Sequence, residues 1–202
     1  MKTVIVTGLI GSGKSAVCAL LARRGIPVYY ADDRVKGLYD RRPSLVARLE
    51  ETLGLPLRGP EGTLDRKALA AVIFSDDAAR EKLERIVYPV LLQDFKRWRT
   101  HQKGVPFVVL ESAVILSKPL FDGLADAVVL VTASREIRLQ RVTARDNLPE
   151  EAVTARMNAQ SIPMEKVDVT LCNEGSAESL EQAVEEVFFD NNSYICKIIS
   201  NR

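Results

Sequence analysis

Apolar and polar positions fall into blocks along the chain, and the length and period of each block select an element. The stretch Thr3 to Thr7, "TVIVT", is β-branched or apolar throughout, the pattern of a central parallel strand covered on both faces. After a glycine-rich turn, "KSAVCALLARRG" puts Val17, Leu20 and Leu21 at helical spacing, ends on Arg23 and Arg24 and stops at Gly25. That predicts a helix of about three turns. "IPVYYADD" predicts a short second strand running into two carboxylates, and "FVVLES" and "AVVLVTAS" predict a third and a fourth, each ending in polar residues. "VTLCN" supplies a fifth strand, and "AESLEQAVEEVFF" an amphipathic helix after it.

Two stretches interrupt this alternation. Between the second strand and Phe107 the chain is long, polar and mostly helical in pattern, with Pro43, Pro56, Pro60 and Pro89 and a turn-like "RGPEGTLD"; it reads as an insertion. "SREIRLQRVTARDNLPEEAVTARMNAQ" predicts two helices broken near Pro149, with Arg135, Arg138, Arg141 and Arg145 crowded into the first. Alternating strands and helices imply an α/β fold, a doubly wound parallel sheet of five strands. The core then spans 1–32, 105–140 and 167–190, the helical insertion about 33–104 and the arginine-rich segment about 141–166. The tail 191–202, "NNSYICKIISNR", fits no element.

Composition narrows the partners. With 202 residues the chain fits one domain, or one with an insertion. Its 28 Lys and Arg balance 27 Asp and Glu, so bulk charge gives no reason to expect nucleic acid or an anionic membrane, and any anion site must be local. Cys18, Cys172 and Cys196 lack metal or redox spacing and are expected to be buried thiols in a reducing cytoplasm. The N-terminal apolar stretch is interrupted too early for a signal peptide or a spanning helix. A monomer or small homo-oligomer is expected.

One local anion site is written plainly. "TGLIGSGKSA" matches Gly-x-x-x-x-Gly-Lys-[Ser/Thr] through Gly8, Gly13, Lys14 and Ser15, between a predicted strand and a predicted helix. Glycines let successive backbone N–H groups turn inward around a phosphate, the helix N-terminus adds positive potential, Lys14 can reach the outer phosphates, and Ser15 can ligate Mg²⁺. This is the P-loop of nucleotide triphosphate-binding proteins, a class that includes switches, motors and kinases. The guanine-reading Asn-Lys-x-Asp of a GTPase switch does not occur. A small-molecule kinase needs a carboxylate to accept a hydroxyl proton and cations to neutralise the transferred group. Asp32, after a second strand expected beside the phosphate loop, can be that base; otherwise Asp32 and Asp33 form an N-cap and first-turn pair. Arg141 and Arg145, four apart on one helix, can close on phosphates as a lid, or form a solvated face paired with Glu150 and Glu151. Glu111 can orient Mg²⁺ through water or hold a group of the insertion. His101 reads as a surface residue, and Tyr88, Phe95 and Trp98 as core packing.

Along nearly the whole chain to about Asp190 the residues resemble the dephospho-CoA kinase family, small-molecule kinases of the last step of coenzyme A synthesis. "TGLIGSGKS" is followed by "YYADD", where the family's Asp-Ala-Asp places its second aspartate on Asp32. "GTLDRKALAAVIF" resembles its Gly-x-Leu-x-Arg segment, "LERIVYPVL" its His-Pro segment, "LQRVTARD" its lid, closed by Ala159 and Gln160, and "VTLCNEGS" its Asn-x-Gly segment.

The resemblance implies ATP as co-substrate with Mg²⁺ and dephospho-CoA as acceptor. Gly8, Gly11, Ser12, Gly13, Lys14, Ser15 and Ala16 would hold the ATP phosphates, with Asn173 and Gly175 near the adenine. Asp32, Arg66, Tyr88 and Pro89 would meet the acceptor, and Ser15, with Glu111 through water, the metal. Lys14, Asp32, Arg141 and Arg145 would carry the chemistry. Another small hydroxyl acceptor, such as a nucleotide or a sugar acid, and a non-catalytic ATP-binding switch are the alternatives. Departures are Tyr30 at the first aspartate, Tyr88 at the histidine, "AVILS" at residues 113 to 117 for Pro-Leu-Leu-Phe-Glu, Leu9 for a glycine and Ala16 for a threonine.

Overall fold

The computed structural model describes residues 1–59 and 62–200. It separates into two compact units, one of residues 1–30 and 102–202 and the other of residues 31–101.

The first unit holds a five-stranded, all-parallel sheet: β1 (Lys2–Thr7), β2 (Val28–Tyr30), β3 (Phe107–Glu111), β4 (Ala127–Thr132) and β5 (Val169–Cys172), in the order β2-β3-β1-β4-β5. The expectation that the second strand adjoins the phosphate loop is corrected here, because β3 lies between β2 and β1. Burial explains the order. All five residues of β3 are buried, which suits an inner strand, whereas the three-residue, partly exposed β2 suits an edge.

On one face of the sheet, alternate residues Val4 and Val6, Phe107 and Val109, and Val129 and Val131 pack against two helices and part of a third. α1 (Lys14–Arg23) contributes Val17, Cys18 and Leu21, and the two others come from the C-terminal part of the chain. These are α8 (Ala177–Phe188), with Leu180, Val184 and Phe188, and α9 (Tyr194–Ser200), with Ile195. Removing each such side chain from water contributes about 1.5–3 kcal/mol. The rings of Phe107 and Phe188 stack at 6.3 Å, joining β3 to α8.

α9 corrects the reading of 191–202 as elementless. Ser193 Oγ accepts from Cys196 N–H at 3.1 Å, a cap at the helix start, and Tyr194 donates to Asp168 Oδ1 at 3.0 Å. The other Asp168 oxygen accepts from Val128 N–H at 2.8 Å, so the tail is tied to β4 through one carboxylate. Residues 201 and 202 lie outside the described residues. The cysteine expectation is corrected in part: Cys18 is buried, Cys196 half-buried and Cys172 exposed, because Cys172 sits on the edge strand β5 with its side chain to solvent.

Two further helices of this unit are α6 (Arg135–Asp146) and α7 (Glu150–Asn158). Asn147 ends α6 in the left-handed conformation at φ 50°, and Pro149 precedes α7, so the break falls where the proline predicts it. Val142, Val153 and Met157 form a small core of their own, joined by Ile10, Leu139 and Leu148.

The second unit is helical: α2 (Ala31–Arg41), α3 (Pro43–Leu53), α4 (Arg66–Ser75) and α5 (Asp77–Thr100). Local chemistry starts these helices. Pro43 opens α3, Asp65 accepts from Lys67 and Ala68 N–H to cap α4, and Asp76 caps α5 through Ala78 and Ala79. Pro89 sits inside the 24-residue α5, an exposed position that withdraws one N–H from the helix ladder. Phe95 is buried against Trp98, with ring centroids 6.0 Å apart, and His101 is exposed with Nδ1 2.7 Å from Arg97 O. Of the expected turn at 58–65, Pro60 and Glu61 lie outside the described residues, and Arg58 and Leu64 flank it as an antiparallel bridge. Among the described residues no helix is long and apolar enough to cross a membrane.

Candidate active site

The loop between β1 and α1 is built as an anion cradle. α1 begins at Lys14 with no side-chain cap and no acidic residue in its first turn, so its leading N–H groups and the positive end of its dipole are left for a ligand. Gly11 and Gly13 have φ of 81° and 94°, where a side chain is strained. A Cβ on Gly11 would come within 2.5 Å of Arg138 O, and one on Gly13 would collide with the Asn173 amide.

The remaining contacts hold this loop rather than fill it. Asn173, buried at the end of β5, donates from Nδ2 to Ser12 O at 2.9 Å, while its own N–H bonds Thr132 O at 2.8 Å. Arg141 Nη1 lies 3.5 Å from both Gly11 O and Ser12 O. Ile10 N–H donates to Gln160 Oε1 at 2.7 Å. Lys14 Nζ stands 3.7 Å from Glu111 Oε1, both side chains largely buried. Glu111 is the last residue of β3, and in the register of the sheet it pairs with Val6 of β1. Its reach to Lys14 follows from strand order, which no local pattern reveals.

Of the four crowded arginines, Arg138 is buried and unlike the others. Its Nε donates to Ala133 O at 3.2 Å, and burial, then the neighbouring Arg135 charge, pulls its guanidinium below the ordinary arginine range. Arg145 is exposed and paired with Asp146 at 2.6 Å. Arg145 in turn holds the Asp146 carboxyl below the usual carboxylate range. Gly175 is exposed, with Ser179 close by, and Glu174 accepts from Ser134 N–H at 2.6 Å.

The profile of the dephospho-CoA kinase family, CoaE, matches residues 2–178. The chain belongs to the dephospho-CoA kinase family.

Its relatives span most of their lengths. A dephospho-CoA kinase of Frankia casuarinae is 37% identical over 94% of this chain and 83% of its own, and one of Porphyromonas gingivalis 39% identical over 79% and 78%. The crystal structure of TT1252 from Thermus thermophilus superposes with a TM-score of 0.79 at 34% identity, covering 93% of this chain and 96% of that one.

The residues that the dephospho-CoA kinase resemblance assigns to the acceptor lie in the helical unit. Asp32 and Asp33 both stand in the first turn of α2, two and three residues past β2; Asp33 pairs with Lys36 at 2.8 Å, while the exposed Asp32 carboxylate has no ion pair within 4 Å among the described residues. Arg66 Nη2 bonds both oxygens of Asp40 at 2.9 Å and Lys36 O at 3.3 Å. Tyr88, at the family's histidine, donates to Glu84 at 3.4 Å; burial, then the Glu84 and Asp32 charges, pushes its hydroxyl well above the ordinary tyrosine range. It remains a neutral donor at physiological pH. Gln160 has only a landmark's place in the sequence, and its bond to Ile10 N–H is one that no local pattern reveals.

Proposed function

We propose that the chain transfers the γ-phosphoryl group of ATP to the ribose 3′-hydroxyl of dephospho-CoA, giving CoA and ADP in coenzyme A biosynthesis. The observation that carries the nucleotide half is the uncapped N-terminus of α1 behind Gly11 and Gly13. The acceptor half rests on family membership over residues 2–178.

In this reading the N–H groups of residues 8 to 15 and the Lys14 ammonium hold the phosphates, and Asn173 keeps the loop in shape. The 3′-oxygen attacks the γ-phosphorus, the bond to the β–γ bridging oxygen breaks, and Asp32 takes the hydroxyl proton. Arg141, beside the loop, and Arg145, released from Asp146, neutralise charge on the transferred group and exclude water. Arg66 and Tyr88 contribute acceptor contacts from the helical unit. A hydroxyl on Ser15 at the exposed helix start, and a carboxylate on Glu111 next to Lys14, are the hard oxygen donors that Mg²⁺ takes, Glu111 through water. When bound, Mg²⁺ neutralises the β- and γ-phosphate charge. Three free cysteines, one of them exposed, fit a reducing cytoplasm.

Acceptor-dependent ADP release tests the reading. Turnover with dephospho-CoA and none with nucleoside monophosphates, shikimate or gluconate is expected; preference for another acceptor, or ATP binding with no stimulated turnover, overturns it.

A further inference from the structure

The lid is hung on the phosphate loop at both of its ends. At the entry, Arg141 on α6 reaches Gly11 O and Ser12 O, and a Cβ on Gly11 would meet the Arg138 backbone and Val142. At the exit, two residues beyond α7, Gln160 accepts the Ile10 N–H at 2.7 Å. Between these two points Ile10 sends its side chain into the cluster of Val142, Val153 and Met157 that forms the core of the lid. One loop residue is therefore gripped twice, by its side chain and by its backbone, from a segment 150 positions away in sequence.

We infer that Gln160 is a positioning residue, which fixes Ile10 so that the phosphate loop and the lid move as one body when nucleotide binds. The inference rests on the proposed kinase reading for the lid's purpose. The physical reason is geometric. A hydrogen bond to a backbone N–H constrains the peptide plane, and the next N–H groups in the loop can converge on a phosphate only if that plane is held. Apolar packing of Ile10 constrains its side chain but leaves the peptide plane free to turn, so the lid core alone cannot do this. The Gln160 amide oxygen supplies the missing constraint, because it accepts the Ile10 N–H from the exit of the lid.

The test compares Gln160→Leu, which keeps size and loses the acceptor, with Gln160→Glu, which keeps an oxygen acceptor. Ile10 amide hydrogen exchange, ATP affinity by direct titration without acceptor, melting temperature and the ratio of ATP hydrolysis to phosphoryl transfer are measured. Gln160 is only half-buried, so both variants should fold. Expected for Gln160→Leu are faster Ile10 exchange, ATP binding weakened about fivefold, which corresponds to about 1 kcal/mol, a larger hydrolysed fraction, and a melting temperature close to that of the parent. Gln160→Glu should retain slow Ile10 exchange. Unchanged ATP affinity and coupling in Gln160→Leu, or losses that track a fall in melting temperature, overturn the inference. If dephospho-CoA is not phosphorylated by the parent, the kinase reading fails separately, while Ile10 exchange and ATP affinity still decide the tie.

Discussion

Lys14 and Glu111 face each other at 3.7 Å, the lysine from the first turn of α1 and the glutamate from the end of β3, with only 14% and 7% of their side chains exposed. The ammonium proposed to bind the phosphates is thus kept by a carboxylate from the end of β3. In the proposed reading a nucleotide would compete with that carboxylate for the same charge.

Glu111→Gln should leave the Lys14 ammonium in a largely buried place without its counter-charge, at a cost of about 1–3 kcal/mol. The melting temperature should fall by several degrees. ATP, whose phosphates replace the lost negative charge, should raise it by more than it raises that of the parent. Thermal scans with and without ATP check both, and equal ATP-induced shifts in the two proteins would separate Glu111 from Lys14.

Asp32→Asn should lower kcat about 10²-fold or more, the scale of a lost general base, with ATP affinity little changed. Steady-state ADP release alongside titration of ATP gives the two numbers. Near-normal turnover would remove Asp32 from the chemistry.

Gly13→Ala combines a side chain at φ 94° with a collision against the Asn173 amide. It should destabilise by about 1–3 kcal/mol. Asn173→Ala removes the obstacle and leaves the backbone strain, so the double variant should be less unstable than the sum of the single ones by about 0.5–3 kcal/mol. Urea denaturation of the four proteins measures this coupling, and strict additivity would contradict the contact.

Burial pushes the Tyr39 hydroxyl up to about 12 from its ordinary 10.0, despite the opposing Arg66 charge, and Tyr88 is pushed upward as well. Above pH 10 the unfolded chain loses these protons while the native chain keeps them, so the unfolded state binds fewer protons and stability falls as pH rises. The stability from Tyr39 is whole below pH 10 and is lost toward pH 12. Tyr39→Phe should flatten the decline in urea midpoint between pH 10 and pH 12; an unaltered slope would show that Tyr39 ionises as freely in the native state.

How far the sequence could be read depended on the range of each interaction. The run Thr3–Thr7 announced an inner strand because both of its faces are buried, and Gly8 to Ser15 announced a phosphate cradle because turn, N–H donors and helix start are contiguous. α9 went unread since seven residues carry too little period, although Ser193 offered a cap. Asp32 read either as a base at the end of a strand or as half of a first-turn pair with Asp33, and its place is the first turn of α2, because the strand already ends at Tyr30.

By itself the sequence determined the five parallel strands, which follow from periodicity, and the cradle, whose residues are adjacent in the chain, while the family followed from the resemblance of separated landmarks. Only the tertiary structure decided that β3 separates β2 from β1, that Glu111 thereby meets Lys14, and that Asn173 and Gln160 hold Ser12 and Ile10 from 161 and 150 positions away. A side-chain amide has no periodic signature that names its partner. Strand order brings Asn173, at the end of β5, to the loop after β1, and the packing of Ile10 on the α6 and α7 cluster brings Gln160 to it.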